Sequence, residues 1–194
     1  MKKCAIVVAH ADDEAIWCAS LPLRYPNISW NIVCCSYPMI HPERAHFKFI
    51  DSCKVLGANA RLPEAPCDKG MNIPLDNFDT DHMYLLLEDF DHIFTHNDEG
   101  EYGHPHHIQV HEYIKKKYSH KKLTYFGYRA NNKTQIGPTL HLWDEEIAIK
   151  MQAIKCYNHM SDGKPYYEKL LRWMKTLPNY NLDIETFEGE LPDG

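Results

Sequence analysis

Two short stretches gather the residue types that carry out metal-assisted hydrolysis. The first, His10-Ala11-Asp12-Asp13-Glu14, puts one imidazole and three carboxylates side by side. The second runs from Thr95 to His107 and ends in Gly103-His104-Pro105-His106-His107. Between them they supply His10, Asp13, His104 and His107, and two imidazoles with a carboxylate are a usual set for a catalytic divalent metal with an open position, zinc first. Zinc lowers the pKa of a bound water to about 7, and a neighbouring free carboxylate such as Asp12 can take its proton. The acidic run also suits a helix start, with Asp12 as N-cap and Asp13 and Glu14 set against the positive helix end.

Both stretches sit where an α/β fold places its ligands. Cys4-Ala5-Ile6-Val7-Val8-Ala9 is a short apolar run that reads as a buried strand of a parallel sheet. Ligands of open α/β sheets bind outside the carboxyl ends of such strands, so His10 to Glu14 arrive there directly. The chain then predicts a helix over 14–23, closed by Pro22 and Pro26, and a second strand over 29–37. A helix over 43–56 follows, with Ala45, Phe49, Cys53 and Leu56 at helical spacing and Gly57 at its stop. A third strand falls within 58–66, a helix over 80–89 and a strand over 92–96, whose end feeds the second stretch. Pro105 suits the first turn of a helix reaching to about Tyr118, with His104 at its mouth and His107 one turn in. Later come strands over 123–128 and 139–143 and helices over 144–158 and 166–175. The polar, acidic tail from about residue 183 is expected to be loosely held. The alternation implies a Rossmann-like three-layer α/β sandwich with a mostly parallel sheet, in one domain over 1–194.

The two stretches together resemble the zinc-dependent N-deacetylases of the LmbE-like, or PIG-L, family. The family's Ala-His-Pro-Asp-Asp-Glu matches Ala9-His10-Ala11-Asp12-Asp13-Glu14 but for the proline, and its Gly-His-Pro-Asp-His matches Gly103 to His107 with His106 in place of the aspartate. Weaker likenesses cover Arg44 to Gly57 and Lys150 to Tyr157, so the match spans roughly residues 4–160. The resemblance implies removal of an acetyl group from an N-acetylglucosamine-type sugar or glycoconjugate. It implies His10, Asp13 and His107 as ligands of one zinc, with another divalent metal as the alternative. It implies Asp12 as general base, His104 as oxyanion stabiliser or acid, Tyr102 as carbonyl-polarising group and Arg44 as a substrate contact. The family aspartate at position 106 is expected to orient the catalytic histidine, so either Asp98, Glu99 or Glu101 substitutes, or His104 works with a lower pKa. The second case predicts a shifted acid limb in the pH–rate profile.

Composition narrows the partners. A net charge of −6 and a pI near 6.1 argue against general nucleic-acid binding, and Lys115, Lys116, Lys117, Lys121 and Lys122 read as a solvated helix end. No apolar stretch reaches the length of a membrane span, and Asp12 interrupts the N-terminal apolar run too early for a signal peptide, so a cytoplasmic protein is expected. The seven cysteines contain no Cys-x-x-Cys and read as reduced, buried thiols. His111, four residues after His107, reads as a packed or supporting residue because the intervening Ile-Gln-Val lacks a glutamate. His159 is the one scattered histidine placed to reach the pocket. Rivals are a deacetylase-like fold kept only for binding, a metal-dependent phosphoesterase, a receiver-like signalling domain and a Rossmann-type binding domain. The last lacks Gly-x-Gly-x-x-Gly after the first strand.

Overall fold

The structure, a computed structural model, describes residues 2–38, 42–62, 67–70, 73–75, 87–131 and 137–193. Its centre is β1, Lys3–Val8, fully buried after its first residue. β1 pairs in parallel with β2 (Ser29–Cys34) on one side and with β6 (His92–Thr95) on the other. β4 (Asn59–Arg61) extends the sheet beyond β2, and β7 (Lys122–Phe126) pairs in parallel with β6. Two antiparallel strands, β11 (Ile184–Glu188) and then β8 (Thr139–His141), complete the order β4-β2-β1-β6-β7-β11-β8. β3 (Tyr37–Pro38) with β5 (Cys67–Asp68), and β9 (Met160–Ser161) with β10 (Lys164–Pro165), form two small separate pairings.

The period of two along β1 splits its side chains between two cores. Cys4, Ile6 and Val8 join Ile32, Phe94 and Phe187 under one helical layer. Ala5, Val7 and Ala9 join Ile93, Val110 and Ile114 under the other. The first layer includes α1 (Asp13–Trp17), α2 (Ser20–Arg24), α3 (Pro42–Val55), α6 (Asp144–Lys155) and α7 (Tyr166–Met174). The second includes, among the described residues, α5 (Pro105–Lys117). The expected three-layer sandwich with a mostly parallel sheet is therefore the observed fold. The chain leaves β1 toward β2 and returns on the other side as β6, so the carboxyl ends of β1 and β6 flank the crevice where strand order reverses.

Three expectations change. The helix over 14–23 is two helices, broken at Cys18, whose backbone (φ −148°, ψ 20°) leaves the helical region. Pro22 has no N–H to return to Cys18, and buried groups take up what the break frees. Lys150 Nζ donates to Ile16 O at 3.1 Å, and Ser20 N–H donates to Glu185 Oε2 at 2.9 Å. The tail from about 183 is not loose. Ile184–Glu188 lies between β7 and β8, Phe187 is buried, and Glu185 forms a buried ion pair with Lys150 at 2.7 Å. The strand expected over 58–66 is confined, within the described part, to Asn59–Arg61. The helix expected over 80–89 lies mostly outside the described residues. Cys4, Cys18, Cys34, Cys35 and Cys53 are buried free thiols, and Cys156 is a partly exposed one. No helix among the described residues is long and apolar enough to cross a membrane.

At the end of the sheet away from this crevice, His92 opens β6 as a fully buried ring. Its Nε2 lies 2.8 Å from Thr124 Oγ1, whose hydroxyl donates onward to Glu190 O. Nδ1 has no hydrogen-bond partner among the described residues. Burial, reinforced by Lys122 and Lys2, pushes the pKa of His92 down to about 4. A histidine depressed on folding stabilises fully above its unfolded pKa, near 6.5, and that contribution is lost as pH falls toward its folded value. Between about pH 8 and 5 this one group should remove about 2 kcal/mol of stability. Urea denaturation at both pH values should show that loss in the wild type and a smaller one in His92→Gln; equal losses would reject it.

Candidate metal centre

The loop after β1 is held by its own acidic residues. His10 N–H donates to Asp13 Oδ2 at 2.8 Å, and Asp12 N–H donates to Glu14 Oε2 at 2.9 Å. The latter bond supports Asp12 at φ 126°, a backbone position that a non-glycine residue rarely holds without support. Glu14 is buried, and its other oxygen accepts from Ser52 Oγ at 2.5 Å and Tyr157 OH at 2.6 Å. Burial raises its pKa to about 7. Glu14 is thus an anchor of the loop. Asp12 makes no side-chain cap bond to α1. Its Oδ2 instead accepts from Tyr166 OH at 2.9 Å, so the simple capping alternative fails for Asp12.

The loop after β6 is knitted by Asn97, which donates to Phe126 O and Tyr128 O and accepts from the amides of Glu99 and Glu101. Arg129 clamps the same loop through Asp98 and Glu99 and ties it to Glu188 on β11. The short helix α4, Gly100–Gly103, places Glu101 at φ 58° with its carboxylate fully inside. Pro105 then opens α5, with His104 as N-cap and His107 one turn in, as expected.

The two loops meet in a compact set of lone pairs. His10 Nδ1 lies 3.4 Å from Asp13 Oδ2 and 3.3 Å from His107 Nε2, and His107 Nε2 lies 3.4 Å from Asp13 Oδ1. Ligands about 2.0–2.1 Å from a tetrahedral zinc lie about 3.3 Å from one another, which is the spacing of His10 Nδ1 from His107 Nε2, while Asp13 faces each of these nitrogens with a different carboxylate oxygen. Two overlapping groups have ligand atoms close enough to share a cation, His10–His104–His107 and Asp13–His96–His107. Hydrogen bonds separate the candidates. His96 Nε2 already accepts from Ala9 N–H at 2.9 Å, while its Nδ1 donates to Glu101 Oε2 at 2.8 Å. His104 Nδ1 accepts from His106 N–H at 3.2 Å, so the neutral ring carries its proton on Nε2 and is a donor. His107 Nδ1 donates to Glu101 Oε2, which leaves Nε2 as a lone pair toward Asp13 and His10.

Electrostatics agree with this division. Burial alone would raise the Asp13 carboxyl, but His107, His10 and His96 override it and hold it well below the usual range. Trp17 Nε1 also donates to its Oδ1 at 3.1 Å. Burial, and then the Asp13 charge, push the Asp12 carboxyl well above its usual value. Burial and the neighbouring His10 and His107 lower His104 to about 2, so it is neutral at physiological pH. Glu101 sits at about 2 because His96 and His107 outweigh its burial.

A cavity of about 430 Å³ opens onto this centre. His10, Asp12, Asp13, Tyr102 and His104 all line it, and His107 lies buried behind them. Burial and the Asp13 and Asp12 charges push the Tyr102 phenol up, so it remains a donor. Arg44 lies on α3, and its side chain is outside the described structure. His159 does line the cavity, stacked on Tyr166 at 4.8 Å. His111 donates to His96 O at 2.9 Å, a supporting role. Sequence reasoning missed Tyr166 and Lys169 as lining residues; no spacing signal marks either. Of the carboxylates considered for orienting His104, Asp98 and Glu99 pair with Arg129, and Glu101 serves His96 and His107.

No protein-family model matches the chain, and no curated protein matches its sequence. Solved structures do resemble it. N,N′-diacetylchitobiose deacetylase from Pyrococcus horikoshii, 14% identical, aligns over 97% of this chain and 82% of its own with a TM-score of 0.65. GalB, the 4-carboxy-2-hydroxymuconate hydratase from Pseudomonas putida KT2440, 14% identical, aligns over 100% and 98% with a TM-score of 0.63. The zinc-inhibited form of teicoplanin deacetylase, 11% identical, aligns over 96% and 97% with a TM-score of 0.59. The chain therefore has the fold these deacetylases share with a hydratase.

Proposed function

We propose that the chain is a zinc-dependent N-deacetylase of the LmbE/PIG-L type, acting on an N-acetylglucosamine-type sugar or glycoconjugate. The observation that carries the reading is the approach of His10 Nδ1 and His107 Nε2, 3.3 Å apart and each 3.4 Å from an Asp13 carboxylate oxygen, at an open cavity beside Asp12. A divalent cation held there supplies Lewis acidity to a water and to an acyl oxygen. Asp12, fixed through Tyr166, accepts a proton as the water oxygen bonds to the amide carbon. His104 presents Nε2–H and Tyr102 its hydroxyl toward the developing oxyanion. The proton on Asp12 then passes to nitrogen as the C–N bond breaks, leaving the free amine and acetate. Tyr102 and Trp173, edge to face at 5.0 Å, give the cavity an aromatic wall suited to a sugar ring.

Because the fold also serves a hydratase, the reaction rests on the site and its test. A phosphate ester suits the cavity less well. Lys169, the one lysine or arginine among its described lining residues, is already paired with Asp162 and Ser161. Acetate release from N-acetylglucosamine and its short oligomers should disappear after chelation and return with zinc. A zinc-loaded protein that releases no acetate from any of these while hydrolysing a phosphate ester or hydrating an alkene would reject the deacetylase reading.

A further inference from the structure

We infer that His106 is a positioning residue that locks His10 in the tautomer whose Nδ1 lone pair faces Asp13 and His107. The inference rests on the metal-site reading above and adds to it the residue that aims one ligand.

The His106 side chain does not turn to His104. It is fully buried, and its Nε2 lies 2.8 Å from the Ile73 carbonyl oxygen. A carbonyl oxygen only accepts, so the proton of a neutral His106 ring is on Nε2 and its Nδ1 is an acceptor. That Nδ1 lies 2.9 Å from His10 Nε2, so His10 must donate from Nε2. The proton of His10 is thereby fixed on the far side of its ring. Its Nδ1, 3.4 Å from Asp13 Oδ2 and 3.3 Å from His107 Nε2, is left as a lone pair.

The chain of bonds begins on a fixed point. Gln109 on α5 accepts from Leu75 N–H at 3.0 Å and donates to Leu75 O at 3.1 Å, which ties the segment carrying Ile73 to the helix that carries His106. Glu101 does the matching work for His107, by accepting from its Nδ1. The two imidazoles are thus aimed by different means, one by a buried carboxylate and one by a neutral imidazole backed by a peptide carbonyl. A histidine at position 106 is therefore compatible with an intact centre, because what His10 needs there is an acceptor, which a charged group is not required to supply.

Ring nitrogen NMR on the metal-free protein reads the tautomers directly. Wild type should show His10 and His106 both protonated at Nε2. A wild-type His10 protonated at Nδ1 would overturn the inference without any variant having to fold. Zinc affinity, measured by competition with a chromogenic chelator, should fall roughly 10–100-fold in His106→Phe, which fills the site without an acceptor. His106→Asn, which restores an acceptor near the position of Nδ1, should recover most of that loss. Equal zinc affinity in wild type and His106→Phe would also overturn it. A wild type that shows the expected His10 tautomer but binds no zinc would support the aiming of His10 and reject the metal reading instead.

Discussion

On the proposed zinc reading, His107→Ala is expected to abolish metal binding. Elemental analysis of wild type should find about one zinc per chain, and the variant should hold almost none. The expectation follows from the accounting of lone pairs. Removing His107 Nε2 leaves His10 and Asp13, which cannot retain the ion through purification, and the described imidazoles nearest to it are engaged elsewhere. His96 Nε2 is engaged by the Ala9 amide, His104 Nδ1 by the His106 amide, and His111 lies behind His96 with its Nδ1 on that residue's carbonyl. The fold should survive, because Glu101 keeps its bonds from His96 and the Asn97 amide after losing His107. Thermal unfolding with zinc removed from both proteins separates metal loss from collapse. Metal retained in the variant would show that another residue completes the centre, with His104 the first to test because it shares a cluster with His10.

The residues of this centre were legible in the sequence to the extent that they sit in motifs at strand ends. The uninterrupted apolar run of β1 reveals a strand buried on both faces, and that alone places His10 to Glu14 at the crevice. His104 and His107 follow from Pro105 at a helix start. What was not legible depends on partners far away in the chain. Ile184 to Glu188 carries two glutamates and reads as solvated, yet Glu185 is neutralised by Lys150, 35 residues earlier, and the strand becomes part of the sheet. The break after α1 is hidden for the same reason, since the groups that satisfy it are Lys150 and Glu185. Glu101 was visible as a nearby carboxylate, but its choice of His96 and His107 over His104 depends on a backbone at φ 58° that composition does not announce. Tyr166 reaches Asp12 from a separation of 154 residues, with no motif to mark it. The exchange of aspartate for histidine at position 106 was legible as a departure; that its side chain addresses His10 was visible only in three dimensions.

Asp12→Asn is expected to keep the metal and lose turnover. The substitution is nearly isosteric, and the amide oxygen can still accept from Tyr166, so the loop has no reason to move. The ligands are untouched, since Asp12 is not among the groups close enough to share a cation. What disappears is a group able to take a proton. Burial and Asp13 hold the Asp12 carboxyl well above its usual pKa; a bound cation opposes both effects and favours the carboxylate. An amide has no such form at any working pH. General-base catalysis contributes roughly 10²–10⁴-fold, so kcat for acetate release should fall by about that factor. Zinc content and substrate affinity should stay near those of wild type, because the interaction lost belongs to the transition state. Tyr166→Phe offers a graded comparison, since it leaves the carboxylate and removes only the bond that fixes it; its loss should be smaller and fall on kcat. An Asp12→Asn protein with wild-type kcat would remove Asp12 from the chemistry, and one that also lost its zinc would make Asp12 part of the metal centre.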